Sequence, residues 1–291
     1  MKIGILIVSR NRFKSLSTTI DSALSQNGID SILVIDDCSD DLKGFHQLAV
    51  KYESQISLIR NQSNLGLIES RNLGTRLLDC DIVLNIDDDA VFSDFDYSSV
   101  LRDKFSDRRV GALALPSIDN DDKVYNSVPE NNKNYRSSQY RGTAHAIRKG
   151  TFQQLGGYNT VLFRQHEELE FSIKLFAKDL LVATAVCPPI RHYPSLIRDP
   201  KMINMLDYRN KVAIYYNYYC EPFKALAIII VLGKFLMKSK SVKEALELFK
   251  NGIVCAKEMN GTIRLNAKKN IAFLILRKMG KCSYKVNQFP E

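Results

Sequence analysis

The sequence predicts an α/β fold, with a mostly parallel central sheet followed by an all-helical region. Three observations carry that prediction. Short apolar runs alternate with helix-spaced patterns through the first third of the chain. Two of those runs end abruptly in acids, at Asp36-Asp37 and at Asp87-Asp88-Asp89. Strand ends are where sheets built from βαβ units bind their ligands. Beyond Pro200 every pattern is helical, and the charge balance changes with it.

Ile3 to Val8 reads as a buried strand, an apolar run broken only by Gly4. Leu16 to Leu24 places Leu16, Ile20, Ala23 and Leu24 at helical spacing, and Asn27-Gly28 supplies the stop. Ser31 to Ile35 is a second strand, Phe45 to Tyr52 a helix and Ile56 to Arg60 a third, short strand. Leu67 to Leu78 is a helix and Asp81 to Ile86 a fourth strand. From Ser117 to Arg141 the pattern dissolves into Asp, Asn, Ser and Lys, which reads as a disordered insertion or a mobile functional loop. Gly142 to Ile147 resumes a strand, Thr151 to Leu155 a short helix, Glu167 to Leu175 a helix and Leu181 to Val186 a strand. Helices follow over Met202 to Tyr219 and Phe223 to Met237, with further ones near 241–258 and 262–279. The expected division is a catalytic unit at 1–199 and a helical region at 200–291.

A chain of 291 residues that is 45% hydrophobic buries a core without staples, which excludes global disorder and a small disulfide scaffold. The six cysteines lie tens of residues apart with no CxxC pair. That excludes a zinc ribbon and a redox motif, and implies reduced thiols in a cytosolic protein. The apolar run at the amino terminus is too short for a signal peptide. The net charge of +9 is unevenly placed. Residues 1–200 hold 24 Lys+Arg and 26 Asp+Glu, whereas residues 201–291 hold 17 and 6, a net of +11. Such asymmetry suggests an anionic partner for the helical region, a nucleic acid or a membrane surface.

No GxGxxG follows the first strand, whose place is taken by Ser9-Arg10-Asn11-Arg12, and there is no GxxxxGK[ST]. A nucleotide bound here therefore needs another device for its phosphates, and a divalent metal held by carboxylates is the obvious one. Asp87-Asp88-Asp89 suits it. In an extended segment Asp87 and Asp89 point to the same side and address one ligand together. The plain alternative is a solvated turn or a helix start, where acids are common.

The neighbouring motifs decide in favour of the first reading. VIDDCS (34–39), NLGLIESRNLG (64–74), NIDDDAVF (85–92), GTAHAIRKGTFQQLGGYN (142–159) and HEELEF (166–171) occur in that order. The series resembles the inverting family 2 glycosyltransferases, whose nucleotide-sugar domain has the Rossmann-like GT-A fold, and it covers roughly residues 1–195. The resemblance implies donor binding by Ser9, Arg10, Asn11 and Arg12, and by Asn64 and Gly66. It implies that Asp37 accepts a hydrogen bond from the base, where uracil or thymine would offer N3–H and guanine N1 and N2, so UDP- or dTDP-sugars are favoured. Arg71 is implied to face the base or phosphates. Asp89 is the implied direct metal ligand for Mn2+ or Mg2+, with Asp87 on the ribose or a metal-bound water and Asp88 beside the diphosphate. Glu167 and Glu168 are the implied base candidates. The family has Glu-Asp there, so Glu168 takes the place of the Asp and adds a methylene. His192 stands where many relatives place a late histidine against the metal or diphosphate. His145 reads as a core or edge residue, His166 as exposed, and Arg209-Asn210 resembles a feature of rhamnosyltransferase-like relatives.

The stretch from Phe223 to Met237 falls short of the ~20 apolar residues of a membrane span. It reads either as a buried hairpin helix or as an interfacial helix whose lysines reach lipid headgroups. Tyr208, Tyr215, Tyr216, Tyr218 and Tyr219 stack on sugars, line an interface or pack the joint between the two regions. The expected activity is metal-dependent transfer from a nucleotide-diphosphate sugar to a glycan or polyprenyl-diphosphate-linked acceptor, in capsule, O-antigen or similar surface polysaccharide synthesis. The protein is expected in the cytoplasm, with peripheral contact to the inner membrane face or a homodimer through the basic helices. The rival readings are a basic nucleic-acid-binding protein, resting on the tail charge alone, and a sugar nucleotidyltransferase, which needs a Gly-rich first loop.

Overall fold

The computed structural model describes residues 1–128, 135–194, 200–259, 263–279 and 281–283. The chain begins with β1 (Ile3–Ser9), α1 (Phe13–Leu24), β2 (Ser31–Asp36), α2 (Leu42–Lys51), β3 (Ser57–Arg60), α3 (Leu67–Leu77) and β4 (Ile82–Asp87). It continues through β5 (Ala90–Val91), α4 (Tyr97–Ser106), β6 (Val110–Ala114), β7 (Ser117–Ile118), β8 (Val124–Tyr125), β9 (Tyr135–Ser137) and β10 (Ala144–Arg148). Then come α5 (Lys149–Gln154), α6 (Glu167–Ala177), β11 (Leu181–Thr184) and β12 (Ile190–His192). The helices α7 (Pro200–Tyr218), α8 (Phe223–Ser239), α9 (Val242–Glu258) and α10 (Ala267–Met279) follow, with β13 (Lys281–Ser283) last.

Among the described residues, nine strands form the main sheet in the order β13-β9-β11-β6-β10-β4-β1-β2-β3. The β3, β2, β1 and β4 ladder is parallel throughout, and β10 enters antiparallel between β4 and β6. The two faces of β1 show why it lies inside. Ile3, Ile5 and Ile7 lie in the cluster formed with α1, α2 and α4, while Leu6 packs toward α3, in a second cluster that extends to α6 and α7. A strand buried on both faces reads as a continuous apolar run, as this one does. Val212, Ala213 and Ile214 of α7 join the same apolar cluster as Leu6, Leu33 and Phe171, so the basic helices share one continuous core with that face of the sheet. Tyr215, Tyr218 and Tyr219 are buried in that joint, which selects the packing role among those expected of the tyrosines.

The polar segment from Ser117 to Arg141 departs from expectation. Residues 129–134 lie outside the described part, but β7, β8 and β9 on either side are paired strands. The strand β9 extends the main sheet beside β11, and β7 with β8 belongs to a second sheet in the order β5-β12-β7-β8. Two- and three-residue strands carry too few side chains to show a period of two, so composition alone hid them.

Candidate active site

The second sheet assembles one wall of the site. Its register sets His192 of β12 opposite Ala90 of β5, directly after the three aspartates, and sets Arg191 opposite Ile118 of β7, directly before Asp119. The Tyr193 backbone N–H also donates to the Asp89 carbonyl at 2.8 Å. His192 is thereby held between two carboxylates, with Nε2 3.2 Å from Asp89 Oδ1 and Nδ1 2.8 Å from Asp119 Oδ1. Arg141 grips Asp119 through two contacts of 3.2 and 3.0 Å and lies over the Tyr125 ring. Burial works to lower the His192 pKa, and the carboxylates of Asp89 and Asp119 outweigh it and raise the value.

Asp87, Asp89 and His192 each offer one ligand atom, and the three atoms lie within 4.8 Å of one another. The buried His192 Nε2 makes no hydrogen bond of its own, and its ring is fixed from behind by Asp119. A metal-binding imidazole characteristically has its other nitrogen anchored on a carboxylate in this way. Two carboxylates and an imidazole are a mixed oxygen–nitrogen set that suits Mn2+ better than Mg2+, which prefers oxygen alone. The residues present therefore fit the implied metal.

A cavity of about 320 Å3 runs from this wall to the ends of β1 and β2. Ser9, Arg10, Arg12, Asp37, Asn64, Gly66 and all three aspartates line it, together with Phe163, Arg164 and Met202. Ser9 Oγ donates to Asp88 at 2.6 Å, and Arg12 Nη1 bridges Asp88 and Asp89 at 2.9 and 2.7 Å. Burial nevertheless pushes the Asp88 carboxyl up to about 6, against the pull of Arg12 and Ser9. On the far wall Asp37 Oδ1 accepts from Asn61 Nδ2 and the Leu65 N–H, and Oδ2 accepts from the Gly66 N–H at 2.8 Å. A carboxylate has about four acceptor sites, so Oδ2 retains one. Gly66 sits at φ +84°, where a side chain would strain the turn that delivers this N–H. Asn11 turns instead to the Ser39-Asp40 corner, donating to Asp40 at 2.7 Å, and Arg10 leans toward the same Asp40.

Arg71 of α3 lies between the aspartates and the glutamates rather than on the cavity wall. Its Nη2 donates to Asp87 Oδ1 at 2.7 Å and to the Gly142 carbonyl at 2.9 Å, and its Nη1 to Glu167 Oε1 at 3.2 Å. Burial opposes the Arg71 charge, and Asp87, Glu167 and Glu168 more than offset that. The two glutamates open α6, where acids complement the helix dipole. The Glu167 side chain is 3% exposed and paired to Arg71, whereas that of Glu168 is 16% exposed and 3.9 Å from the guanidinium. Burial, and then the neighbouring Glu167 charge, push the Glu168 carboxyl well above the ordinary glutamate value. Gly142 makes room for it, since a Cβ there would meet Glu168 Oε1 at 2.3 Å.

The turn before α6 is unusual. Phe163, Gln165 and His166 all have φ between 62° and 71°, a region that costs non-glycine residues about 1–2 kcal/mol each. Residues of α7 hold it. Buried Asn210 donates to the carbonyls of Leu162, Arg164 and Gln165 at 3.1, 2.8 and 2.8 Å, and Arg209 donates to Leu162. His166 is half-buried rather than exposed, with Nε2 2.7 Å from Asp207 Oδ1. His145 is a core residue as expected, paired to the Tyr158 hydroxyl at 2.9 Å. Asp119, Arg141, Asp207 and the clamping role of Asn210 were not foreseen. Only the Arg209-Asn210 pair carried a sequence signal.

Comparison with known proteins identifies the family. A model of the family described as Glycosyl transferase family 2 matches residues 4–167, more than half of the chain. An uncharacterized glycosyltransferase from Haemophilus influenzae is 25% identical over 201 residues, 65% of this chain and 67% of that protein. Among solved structures, GalNAc-T7 with UDP, GalNAc and Mn2+ is similar with a TM-score of 0.63 at 18% identity, over 77% of this chain and 49% of that one. This chain thus spans about half the length of GalNAc-T7. S. aureus TarS 1-349 in complex with UDP gives 0.58 at 16% identity, over 81% and 72% of the two chains. Mannosyltransferase PcManGT from Pyrobaculum calidifontis, with GDP-Man and Mn2+, gives 0.57 at 14%, over 96% and 86%. At such identities the structural likeness is one of fold.

Proposed function

The chain belongs to glycosyl transferase family 2, and from that premise we propose that it is a metal-dependent inverting glycosyltransferase. It takes a sugar from a nucleotide diphosphate and gives it to a hydroxyl of a glycan or lipid-linked acceptor, in surface polysaccharide synthesis. Residues 1–199 carry the chemistry and residues 200–291 brace it. The observation that carries this reading is the Arg71 guanidinium, which joins Asp87 at the cavity to Glu167 and Glu168 at the head of α6. A diphosphate site and a basic carboxylate one side chain apart are what a direct displacement needs.

In this reading the nucleoside lies along the β1 and β2 ends, with the base N–H donating to the remaining site on Asp37. Uracil and thymine each present one such donor, which favours UDP- or dTDP-sugars. Asp87, Asp89 and His192 would hold Mn2+ or Mg2+, which would neutralise charge on the departing diphosphate. Arg12, already bridging Asp88 and Asp89, is placed to transfer a hydrogen bond to a phosphate oxygen. Glu168 takes the proton from the acceptor hydroxyl. The hydroxyl oxygen then bonds to the anomeric carbon as the bond to the diphosphate breaks, and configuration inverts. Glu167 is paired to Arg71, and burial with the neighbouring Glu167 raises the basicity of Glu168.

A thermal-shift series with UDP, dTDP and GDP, each with and without Mn2+, tests the reading. UDP or dTDP with Mn2+ is expected to raise Tm more than either component alone. No shift with any of the three in the presence of Mn2+ would overturn it.

A further inference from the structure

Helix α8 shows its apolar side to solvent. Ile228 and Val231 are buried toward α7 and α9, and Phe235 meets the Tyr208 ring at a centroid distance of 5.2 Å. On the opposite side Leu226, Ile229, Ile230 and Met237 are between 48% and 74% exposed. Their spacing of three, four and seven residues, with Gly233 in the gap, forms one continuous stripe. Surface helices ordinarily present polar side chains there. Lys234, Lys238 and Lys240 are exposed at the carboxyl end of the stripe, and α8 contains no acidic residue. Among the described residues no helix is long and apolar enough to cross a membrane. The helix therefore meets an apolar phase along its side.

We propose that the outer face of α8 docks on an anionic lipid surface, inserting Leu226, Ile229, Ile230 and Met237 at the headgroup boundary while Lys234, Lys238 and Lys240 meet lipid phosphates. Aliphatic side chains on one face with cations beside them match an interface that is apolar inside and negative outside. A second copy is less well matched, because an isologous contact sets a patch against itself and would bring the Lys234 and Lys238 charges of both copies together. The Lys238 ammonium donates to Asn204 of α7 at 2.6 Å, and Met202 on the same early turns lines the donor cavity. The lysine end of the stripe is therefore the end nearer the active site. Docking does not depend on the reaction proposed above, since it requires neither nucleotide nor metal.

Co-sedimentation of the full chain with vesicles tests the proposal. Vesicles of phosphatidylcholine with phosphatidylglycerol are expected to carry the protein down, and phosphatidylcholine alone much less, with added salt weakening the anionic binding. Replacing Ile229→Asp and Ile230→Asp together should weaken it by about tenfold or more, because both side chains leave the acyl boundary. Lys234→Glu, which leaves the apolar stripe intact, should weaken it about fivefold or more. All variants should keep the wild-type melting temperature, as the replaced side chains are exposed. The proposal is overturned if wild-type protein stays in solution or if both variants sediment like the wild type. A concentration-dependent dimer that the isoleucine variant dissolves, with no vesicle binding, would assign the face to a second copy instead.

Discussion

Asp87-Asp88-Asp89 and Glu167-Glu168 are both runs of adjacent acids at the edge of one site, and the fold neutralises them in different ways. The aspartates draw countercharge from three separate elements. Arg12 comes from the turn after β1, Arg71 from α3, and His192 from β12. Arg71 and His192 are pinned from elsewhere, by Gly142 and Asp119, whereas the Arg12 side chain is 30% exposed and can exchange a carboxylate for another anion. The glutamates share one buried arginine, and exposure separates their roles, with Glu167 locked and Glu168 reachable. A cluster with several partners, one of them replaceable, suits binding of a charged ligand. A cluster with a single fixed partner suits holding one group at the basicity a reaction needs.

The largest test of that contrast is Glu168→Gln. Loss of a general base costs about 10²–10⁴-fold in rate, and here nucleotide-induced thermal shifts should be unchanged. If donor binding falls with kcat, the glutamates belong to the binding cluster and the contrast fails. The same variant has a signature in stability. The Glu168 carboxyl is raised in the fold by burial and by Glu167. Its contribution is therefore full below the unfolded glutamate value, about 4.3, and is lost as pH rises through the folded value. Glu168→Gln should accordingly gain Tm relative to wild type as pH rises from acid to neutral. For the same reason wild-type kcat should rise with pH along a limb that begins above the ordinary glutamate range.

Asp89→Ala acts on the other cluster, and loss of an electrostatic stabiliser there should cost about 10²–10³-fold in kcat. Unlike Glu168→Gln, it should also abolish the Mn2+ contribution to nucleotide binding in calorimetry. Asp119→Asn is smaller. It leaves the ligands but loosens the His192 ring, with an expected loss of about 10–100-fold in Mn2+ affinity by titration. The smallest effect belongs to Asn210→Ala, which leaves the Arg164 and Gln165 carbonyls without this donor. Denaturant unfolding should show a loss of about 1–3 kcal/mol, with Mn2+ affinity untouched. A Mn2+ defect in that variant would show that the two clusters are not separable.

Most of the acid lining of the cavity was legible in the sequence because it is local. Acids that end apolar strands fall at one edge of a parallel sheet, so Asp37, Asp87 and Asp89 needed only strand assignment to be placed together. His192 depended on the family resemblance, and its position follows from pairing with β5 across a hundred residues. Asp119 could not be read. It lies in a polar stretch with no period, and its role exists only because β7 pairs with a strand about seventy residues later. Arg71 was expected at the base or phosphates, and the structure sets it between two acid clusters. A single arginine on a helix gives no sign of which carboxylates will surround it. The exposed stripe of α8 was equally ambiguous, since a run that is apolar on every side does not reveal which side its neighbours cover.

The turn from Phe163 to His166 bears on how enzymes of this kind can be recombined. Its three left-handed residues persist because Asn210 and Asp207, from beyond the segment matched by the family, hold them. A chimera joined near Pro200 would combine a catalytic turn from one parent with a clamp from another. Unless the incoming helix offered an amide and a carboxylate at those two places, the turn would relax toward ordinary backbone and shift the start of α6, where Glu167 and Glu168 lie. The turn and its clamp could then be exchanged between relatives only by moving residues 162–210 as one piece.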